Sequence, residues 1–320
     1  MDLRFFMRNC LKKIIAAKII FLLSIPIILW VSWWNIPNDI REEVFEVFWS
    51  KTPYERFEGE RPTLILVPDD YDPSKKYPLV VALHGYQSFP VENEIFFGLK
   101  DQLERHNFIL AMPYGRVKPR NKARFWNAMK DCCGEEIGGD DVGAILSVTS
   151  ELIEKYPVDP EKVFVFGYSN GGYLAYRIAC EDQGLFKGTV VFAGLSFPLE
   201  SQCKSPTPRP IVHFHGTADK IVDMNSENGG AAPVDEILNR WAKRNNCGER
   251  TIQEKSEDFG WLVQGKDTDV VSYENCQDLN SVTFYRLREM GHIPFLKVQV
   301  LDYSWPLLLK EPNYSAGRQR

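Results

Sequence analysis

A chain of 320 residues with 44% hydrophobic side chains can bury one large core, and no internal period of roughly 20 to 50 residues repeats along it, which excludes a solenoid. The formal net charge is −5, yet residues 1–34 hold five basic side chains and one acid, a local +4 that leaves about −9 on the remainder. So acidic a remainder argues against a nucleic-acid partner.

Residues 1–13 form a basic flank with Arg4, Arg8, Lys12 and Lys13, and residues 14–34 are predominantly apolar over 21 positions, about the length that crosses a bilayer. Lys18 near one end can snorkel, while Trp30, Trp33 and Trp34 suit the opposite interface. Basic residues precede this span and Asp39, Glu42 and Glu43 follow it, so the positive-inside rule leaves the N-terminus in the cytoplasm and exports the rest. A transmembrane signal-anchor is therefore expected, giving a single-pass membrane protein. The alternative is a cleaved signal peptide and a secreted or periplasmic product, but the tryptophan-rich exit lacks the small residues that cleavage needs. Residues 35–60 are polar and acidic and are expected to link this span to a catalytic domain at 61–310, with a tail at 311–320.

Seven cysteines fit an exported chain. Setting aside Cys10 in the basic flank leaves Cys132, Cys133, Cys180, Cys203, Cys247 and Cys276, an even set compatible with several pairings. Cys247 and Cys276 bracket a polar excursion and are the first candidate bridge. Vicinal Cys132 and Cys133 lack the second close pair or nearby histidines that zinc requires, so disulfides are expected and no metal is.

Thr63 to Pro68 has the pattern of a first strand, and the turn chemistry of residues 69–78 leads to Leu79–Leu83, a continuous apolar run of the kind buried on both faces of a parallel sheet. It ends in His84-Gly85-Tyr86. Another strand at 109–113 precedes a loop holding Phe125, Trp126 and Asn127. Asp140 and Asp141 then open a helix with Val142, Ile145, Leu146, Leu152 and Ile153 at helical spacing, where both acids are expected to cap and to favour the dipole.

Val163 to Phe166 runs straight into Gly167-Tyr168-Ser169-Asn170-Gly171, and Leu174, Ala175, Ile178 and Ala179 follow with helical spacing. Strand, sharp turn and helix with GxSxG at the turn is the pattern of a nucleophile elbow, which exposes its serine above the sheet. Two more buried strands are expected at 189–194 and 211–216, a helix at 233–244, a polar irregular stretch at 248–280 and a last strand at 282–287. Strands alternating with helices give a mostly parallel sheet covered on both faces, with chemistry at the carboxyl ends of its strands.

A serine hydroxyl becomes nucleophilic only when a base takes its proton and an acid orients that base. Of the five histidines, His292 alone follows both Ser169 and a plausible acid. Asp219, just past a strand end, leads over Asp223 as that acid. His106 sits at a polar helix end and is expected to be solvated, while of His213 and His215 one is expected to pack and the other to hydrogen-bond near the site. The amides of Asn170 and Tyr86 are the expected oxyanion donors. His84, Trp126 and Tyr168 are candidate substrate contacts, although His84 beside Gly85 fits a structural role first.

Several of these segments, namely residues 83–85, 125–128, 132–134, 140–143 and 156–163, and above all 167–181 and 213–222, resemble the secreted polyhydroxybutyrate depolymerase and feruloyl esterase-like family of α/β-hydrolases. The resemblance covers roughly residues 62–296. It implies an α/β-hydrolase fold, the triad Ser169, Asp219 and His292, no cofactor, and hydrolysis of hydroxyalkanoate, feruloyl or acetyl-type esters. Two departures bear on the pocket: Tyr86 to Pro90 replaces the glycine-rich loop that usually follows HisGly, and Ile293-Pro294-Phe295 stands where a tryptophan is usual. With no separate polymer-binding domain expected, small-molecule or oligomeric esters fit better than solid polyester. A serine peptidase of the same fold is the alternative within the class, although the cysteine pattern and lack of a propeller weigh against it. A catalytically inactive binding module is the alternative outside it, disfavoured by the intact serine, acid and histidine.

Overall fold

The computed structural model describes residues 40–42, 44, 54–119, 122–129, 132, 138–204, 207–226, 230–293 and 295–310. The expected membrane span at 14–34, its flank, the tail at 311–320 and Cys133 lie outside the described residues. Among the described residues no helix is long and apolar enough to cross a membrane.

In chain order the strands are β1 (Glu55–Glu58), β2 (Pro62–Leu66), β3 (Tyr77–Leu83), β4 (Ile109–Pro113), β5 (Arg116–Val117), β6 (Arg124–Phe125), β7 (Val158–Tyr168), β8 (Gly188–Phe192), β9 (Ile211–Gly216), β10 (Arg250–Glu257), β11 (Thr268–Tyr273) and β12 (Val282–Leu287). The helices are α1 (Pro90–Phe97), α2 (Leu99–His106), α3 (Asp141–Lys155), α4 (Asn170–Glu181), α5 (Val234–Arg244) and α6 (Val300–Leu308). Among the described residues one ten-stranded sheet has the order β1-β2-β4-β3-β7-β8-β9-β12-β11-β10, and β5 pairs with β6 apart from it. From β4 to β12 neighbouring strands are parallel, whereas β1, β2, β10 and β11 join antiparallel at the two edges.

The apolar runs of the central strands alternate between two cores. Leu79, Val81 and Leu83 face a core with Ile145 of α3, Leu174 and Ile178 of α4 and Trp241 of α5. Val80 and Ala82 face the other, with Phe97 of α1, Leu103 of α2 and Trp305 of α6. Burial on both faces is why these strands carry almost no polar residue. Asp140 caps α3 by accepting from the Gly143 amide at 2.8 Å.

Three stretches depart from the sequence expectation. Residues 35–60 do more than link: Arg41 is 1% exposed and β1 pairs with β2 in the sheet. The stretch at 248–280 holds an antiparallel pair, β10 and β11, with Cys247 and Cys276 bridged at its base. His106 ends α2 but is not simply solvated; it lies 2.7 Å from Asp302 and stacks on Trp305.

Candidate active site

β7 ends and α4 begins within a single residue at Ser169, which takes φ 53 and ψ −119. A serine in this region is strained, and the strain is held by close backbone approach on either side. A Cβ at Gly167 would collide with the Gly171 carbonyl, and one at Gly171 would sit 2.6 Å from the His84 carbonyl. The Ser169 amide donates to Phe192 O at 2.8 Å and its carbonyl accepts from Tyr173 at 3.0 Å, locking the turn between β8 and the helix.

The loop after β9 carries Asp219 and the loop after β12 carries His292; the Ala218 amide donates to Met290 O at 2.9 Å and joins the two loops. The structure brings the three side chains into line: His292 Nδ1 lies 2.7 Å from Asp219 Oδ2, and His292 Nε2 lies 2.9 Å from Ser169 Oγ. A carboxylate cannot donate, so Nδ1 carries the proton and Nε2 is left to accept from the hydroxyl. Asp219 Oδ1 accepts from the amides of Ile221 and Val222 at 2.9 and 2.8 Å. Burial alone would raise the Asp219 carboxyl, but the N–H groups of His215, His292 and Val222 together hold it well below the usual carboxylate range. Asp223 is not part of this line; its carboxylate accepts from the Asn225 amide at 3.0 Å.

Asn170 opens α4, so its amide is among the first-turn groups that have no partner within the helix. Its side chain is clamped on Trp126, accepting from that amide at 2.6 Å and donating to that carbonyl at 3.0 Å. The loop leading to Tyr86 lies against the elbow, since a Cβ at Gly85 would meet the Tyr168 ring at 3.1 Å and Ser169 Cβ at 3.5 Å. Tyr168 is half-buried beside His292, its hydroxyl donating to the His292 carbonyl at 3.3 Å and its ring stacked on Phe96. Exposed apolar side chains follow around this rim: Ile293, Phe295 and Trp261, the last joined to Phe295 by an amide-to-carbonyl bond of 2.8 Å.

Of the candidate substrate contacts, His84 and Trp126 turn inward, and His84 takes the structural role expected of it first. His84 is fully buried, with Nδ1 donating to Gly85 O at 2.8 Å and Nε2 accepting from the Gly115 amide at 2.9 Å. Trp126 is fully buried too, its indole N–H donating to His84 O at 2.8 Å. Both brace the loops around the serine from beneath. Asp141 does more than favour the helix dipole: it is fully buried and takes Arg61 at 2.5 Å, Arg116 at 2.8 Å and the Asn127 amide at 2.7 Å. Cys180 pairs with Cys203 and Cys247 with Cys276, while Cys132 Sγ lies 3.5 Å from Asn170 Nδ2. The contact that sequence reasoning left unspecified is His215, whose Nε2 approaches Asp219 Oδ2 at 3.3 Å. Its position at the end of a strand, four residues before the acid, was the available signal.

The family model described as "Putative esterase" matches residues 55–284. The chain is similar to feruloyl esterase B of Piromyces equi, 25% identical over 249 residues that cover 72% of this chain and 42% of that protein. It is also similar to probable feruloyl esterase C of Aspergillus oryzae, 26% identical over 196 residues that cover 59% of this chain and 63% of that protein. The chain thus spans less than two thirds of the length of either relative. Among solved structures, an acetyl xylan esterase from Aspergillus awamori matches with a TM-score of 0.59 at 16% identity, covering 79% of this chain and 98% of that one, a likeness of fold alone.

Proposed function

The chain belongs to the Esterase family and has the α/β-hydrolase fold, and from that premise we propose that it is a serine carboxylic ester hydrolase acting through an acyl-enzyme. The observation that carries the reading is the unbroken line from Asp219 through His292 to Ser169, at 2.7 and 2.9 Å, on a serine held at φ 53. His292 takes the hydroxyl proton as Ser169 attacks the ester carbonyl, and the developing oxyanion is met by the amides of Asn170 and Tyr86. The C–O bond to the alcohol then breaks, and His292 returns the proton to the departing oxygen. Water repeats the sequence on the acyl-enzyme, releasing the acid and restoring the serine.

Feruloyl, acetyl-type or hydroxyalkanoate esters, as small molecules or oligomers, are the proposed substrates, with Tyr168, Ile293 and Phe295 at the mouth. Export is part of the same proposal. Two disulfides among the described residues suit an oxidising compartment, and residues 14–34 would anchor the domain to the membrane or be removed as a signal peptide. The N-terminal sequence of the mature protein separates these outcomes, a new terminus near residue 35 meaning cleavage.

The decisive experiment compares the protein with its Ser169→Ala variant on p-nitrophenyl acetate and butyrate, a feruloyl ester and a hydroxybutyrate oligomer. Loss of the serine nucleophile should lower kcat by roughly 10⁴-fold or more on every substrate that the parent hydrolyses. Unchanged turnover in a folded variant would rule out the mechanism.

A further inference from the structure

Beneath Asp219 lies a line of polar side chains that the proposed mechanism does not use. Tyr176 of α4 and His213 and His215 of β9 are each fully buried. Tyr176 Oη lies 2.8 Å from His213 Nδ1, and His213 Nε2 lies 3.1 Å from His215 Nδ1. His215 Nε2 lies 2.8 Å from the Val222 carbonyl and 3.3 Å from Asp219 Oδ2. The two imidazoles occupy alternate positions of one strand and so share a face, where they stack with centroids 5.3 Å apart. Phe284 of β12 closes the edge of His213 at 5.4 Å.

The proton positions along this line are decided at its far end. Neither a carbonyl nor a carboxylate oxygen can donate, so His215 Nε2 must carry a proton. In a neutral ring Nδ1 is then bare and can only accept, which requires a proton on His213 Nε2. His213 Nδ1 is bare in turn and accepts from the Tyr176 hydroxyl. Burial keeps the first two members in the form this order needs: it holds His213 well below its ordinary value, hence neutral, and pushes the Tyr176 hydroxyl up, hence protonated. Reversing the order in neutral rings would set a nitrogen lone pair against the Val222 carbonyl and the Asp219 carboxylate.

We propose that Tyr176, His213 and His215 form a one-way hydrogen-bond relay that positions the Asp219 carboxylate, with His215 as its second side-chain donor and Tyr176 as the donor that satisfies the bare Nδ1 of His213 at the other end. The inference rests on the proposed roles of Ser169, His292 and Asp219. With Oδ1 held by two backbone amides and Oδ2 shared between His292 and His215, the carboxylate cannot rotate away from the imidazole it orients. His215 also ties Val222 to β9, fixing the loop that supplies those amides. Tyr168, too, faces Asp219, and its hydroxyl is pushed up by burial, by that carboxylate and by Glu92. All three relay members are positioning residues, since none reaches the reacting atoms.

Two measurements on the full chain test the relay. In protein labelled with 15N-histidine, nitrogen–proton correlations should report His213 and His215 as neutral rings with the proton on Nε2 at pH 7. A proton on Nδ1 of either ring, or a doubly protonated His215, overturns the relay without any variant being made. In kinetics, Tyr176→Phe and His215→Leu should lower kcat by roughly 10- to 100-fold with KM unchanged. In His215→Leu the low-pH limb of kcat/KM should also move to higher pH, because a carboxylate relieved of one donor holds a protonated partner more tightly. His215→Gln, whose terminal N–H can reach the same two oxygens, should recover most of the rate. Variants that lose melting temperature but keep the parental kcat and pH profile would reduce the line to packing and overturn the proposal. Ser169→Ala run beside them isolates the underlying reading: unchanged turnover there sinks the triad itself, whereas fluorophosphonate labelling of Ser169 in Tyr176→Phe shows that the pocket is assembled and only the relay is in question.

Discussion

His84 shows how a residue at the site can hold a loop in place without reaching the pocket. Its two ring nitrogens are spent on Gly85 and Gly115, so it fixes the loop that leads to Tyr86. Burial pushes its imidazole down to about 3. The unfolded chain takes up a proton on this residue below about pH 6.5 while the folded chain does not. The stability that neutral His84 allows is therefore complete above pH 6.5 and drains away as the pH falls toward 3. Lowering the pH from 7 to 5 should cost about 2 kcal/mol through this one residue. His213, depressed for the same reason, adds to the loss. Urea denaturation at the two pH values should show His84→Gln starting less stable but losing about 2 kcal/mol less than the parent. Equal losses would mean that the fold admits a proton on His84 after all. The sequence placed His84 and Trp126 near the site because strand-end motifs give neighbourhood. It could not tell that both side chains point inward, since direction depends on which backbone groups across the loop still need a partner. That Ser169, Asp219 and His292 would meet was legible because the elbow motif, the chain order of the histidines and the strand-end positions each narrowed the choice.

Elements were legible wherever burial leaves a strong pattern. The strands at 109–113, 211–216 and 282–287 coincide with β4, β9 and β12, because a strand covered on both faces is mostly apolar and its few polar residues, such as His213 and His215, do not hide the run. β10 escaped notice because it is an edge strand, with a sequence of charged and polar residues interrupted by Ile252, and β11 was hidden beside it. α3 was found, but the role of its first turn was not, since a buried aspartate and a solvated one look alike in sequence. Asp141 joins Arg61 just before β2, Arg116 of β5 and the Asn127 amide, and the neighbouring Trp126 backbone clamps Asn170. Asp141→Ala strands two arginines and an amide at once. Removing one partner of a buried pair typically costs about 3–5 kcal/mol. Arg61 and Arg116 keep 12% and 29% of their side-chain exposure, so about 2 kcal/mol is expected here. Chemical denaturation measures that loss, and kcat should fall with it because the clamp on Asn170 loosens; a variant of parental stability would show that the arginines find other partners.

At the scale of the whole molecule, the N-terminal side of the chain is coupled to the loop that carries Tyr86. Arg41 is buried, donating to Gln87 O at 3.0 Å and pairing with Glu92 at 3.1 Å, and the adjacent Glu42 pairs with Arg124 at 2.9 Å. Arg124 O in turn accepts from the Gln87 amide at 2.9 Å. Two successive residues thus grip the segment that immediately follows Tyr86, from a position seven residues after the end of the apolar run at 14–34. Seven residues reach at most about 25 Å even when fully extended. If that run stays in a bilayer, the loop that carries Tyr86 cannot stand far from the membrane surface. The grip itself does not depend on the anchor, which allows a test on either form of the protein. Arg41→Ala leaves Glu92 and the Gln87 carbonyl without this donor and opens a cavity beside Phe89, whose ring the guanidinium covers at 5.8 Å. A loss of about 3 kcal/mol in chemical denaturation is expected. If the loop's position depends on Arg41, kcat on p-nitrophenyl acetate should fall while Ser169 still reacts with a fluorophosphonate, because displacing one oxyanion donor weakens transition-state binding more than it hinders attack on a reactive phosphorus. Stability lost with kcat unchanged would confine Arg41 to holding the N-terminal segment and would separate that segment from the chemistry.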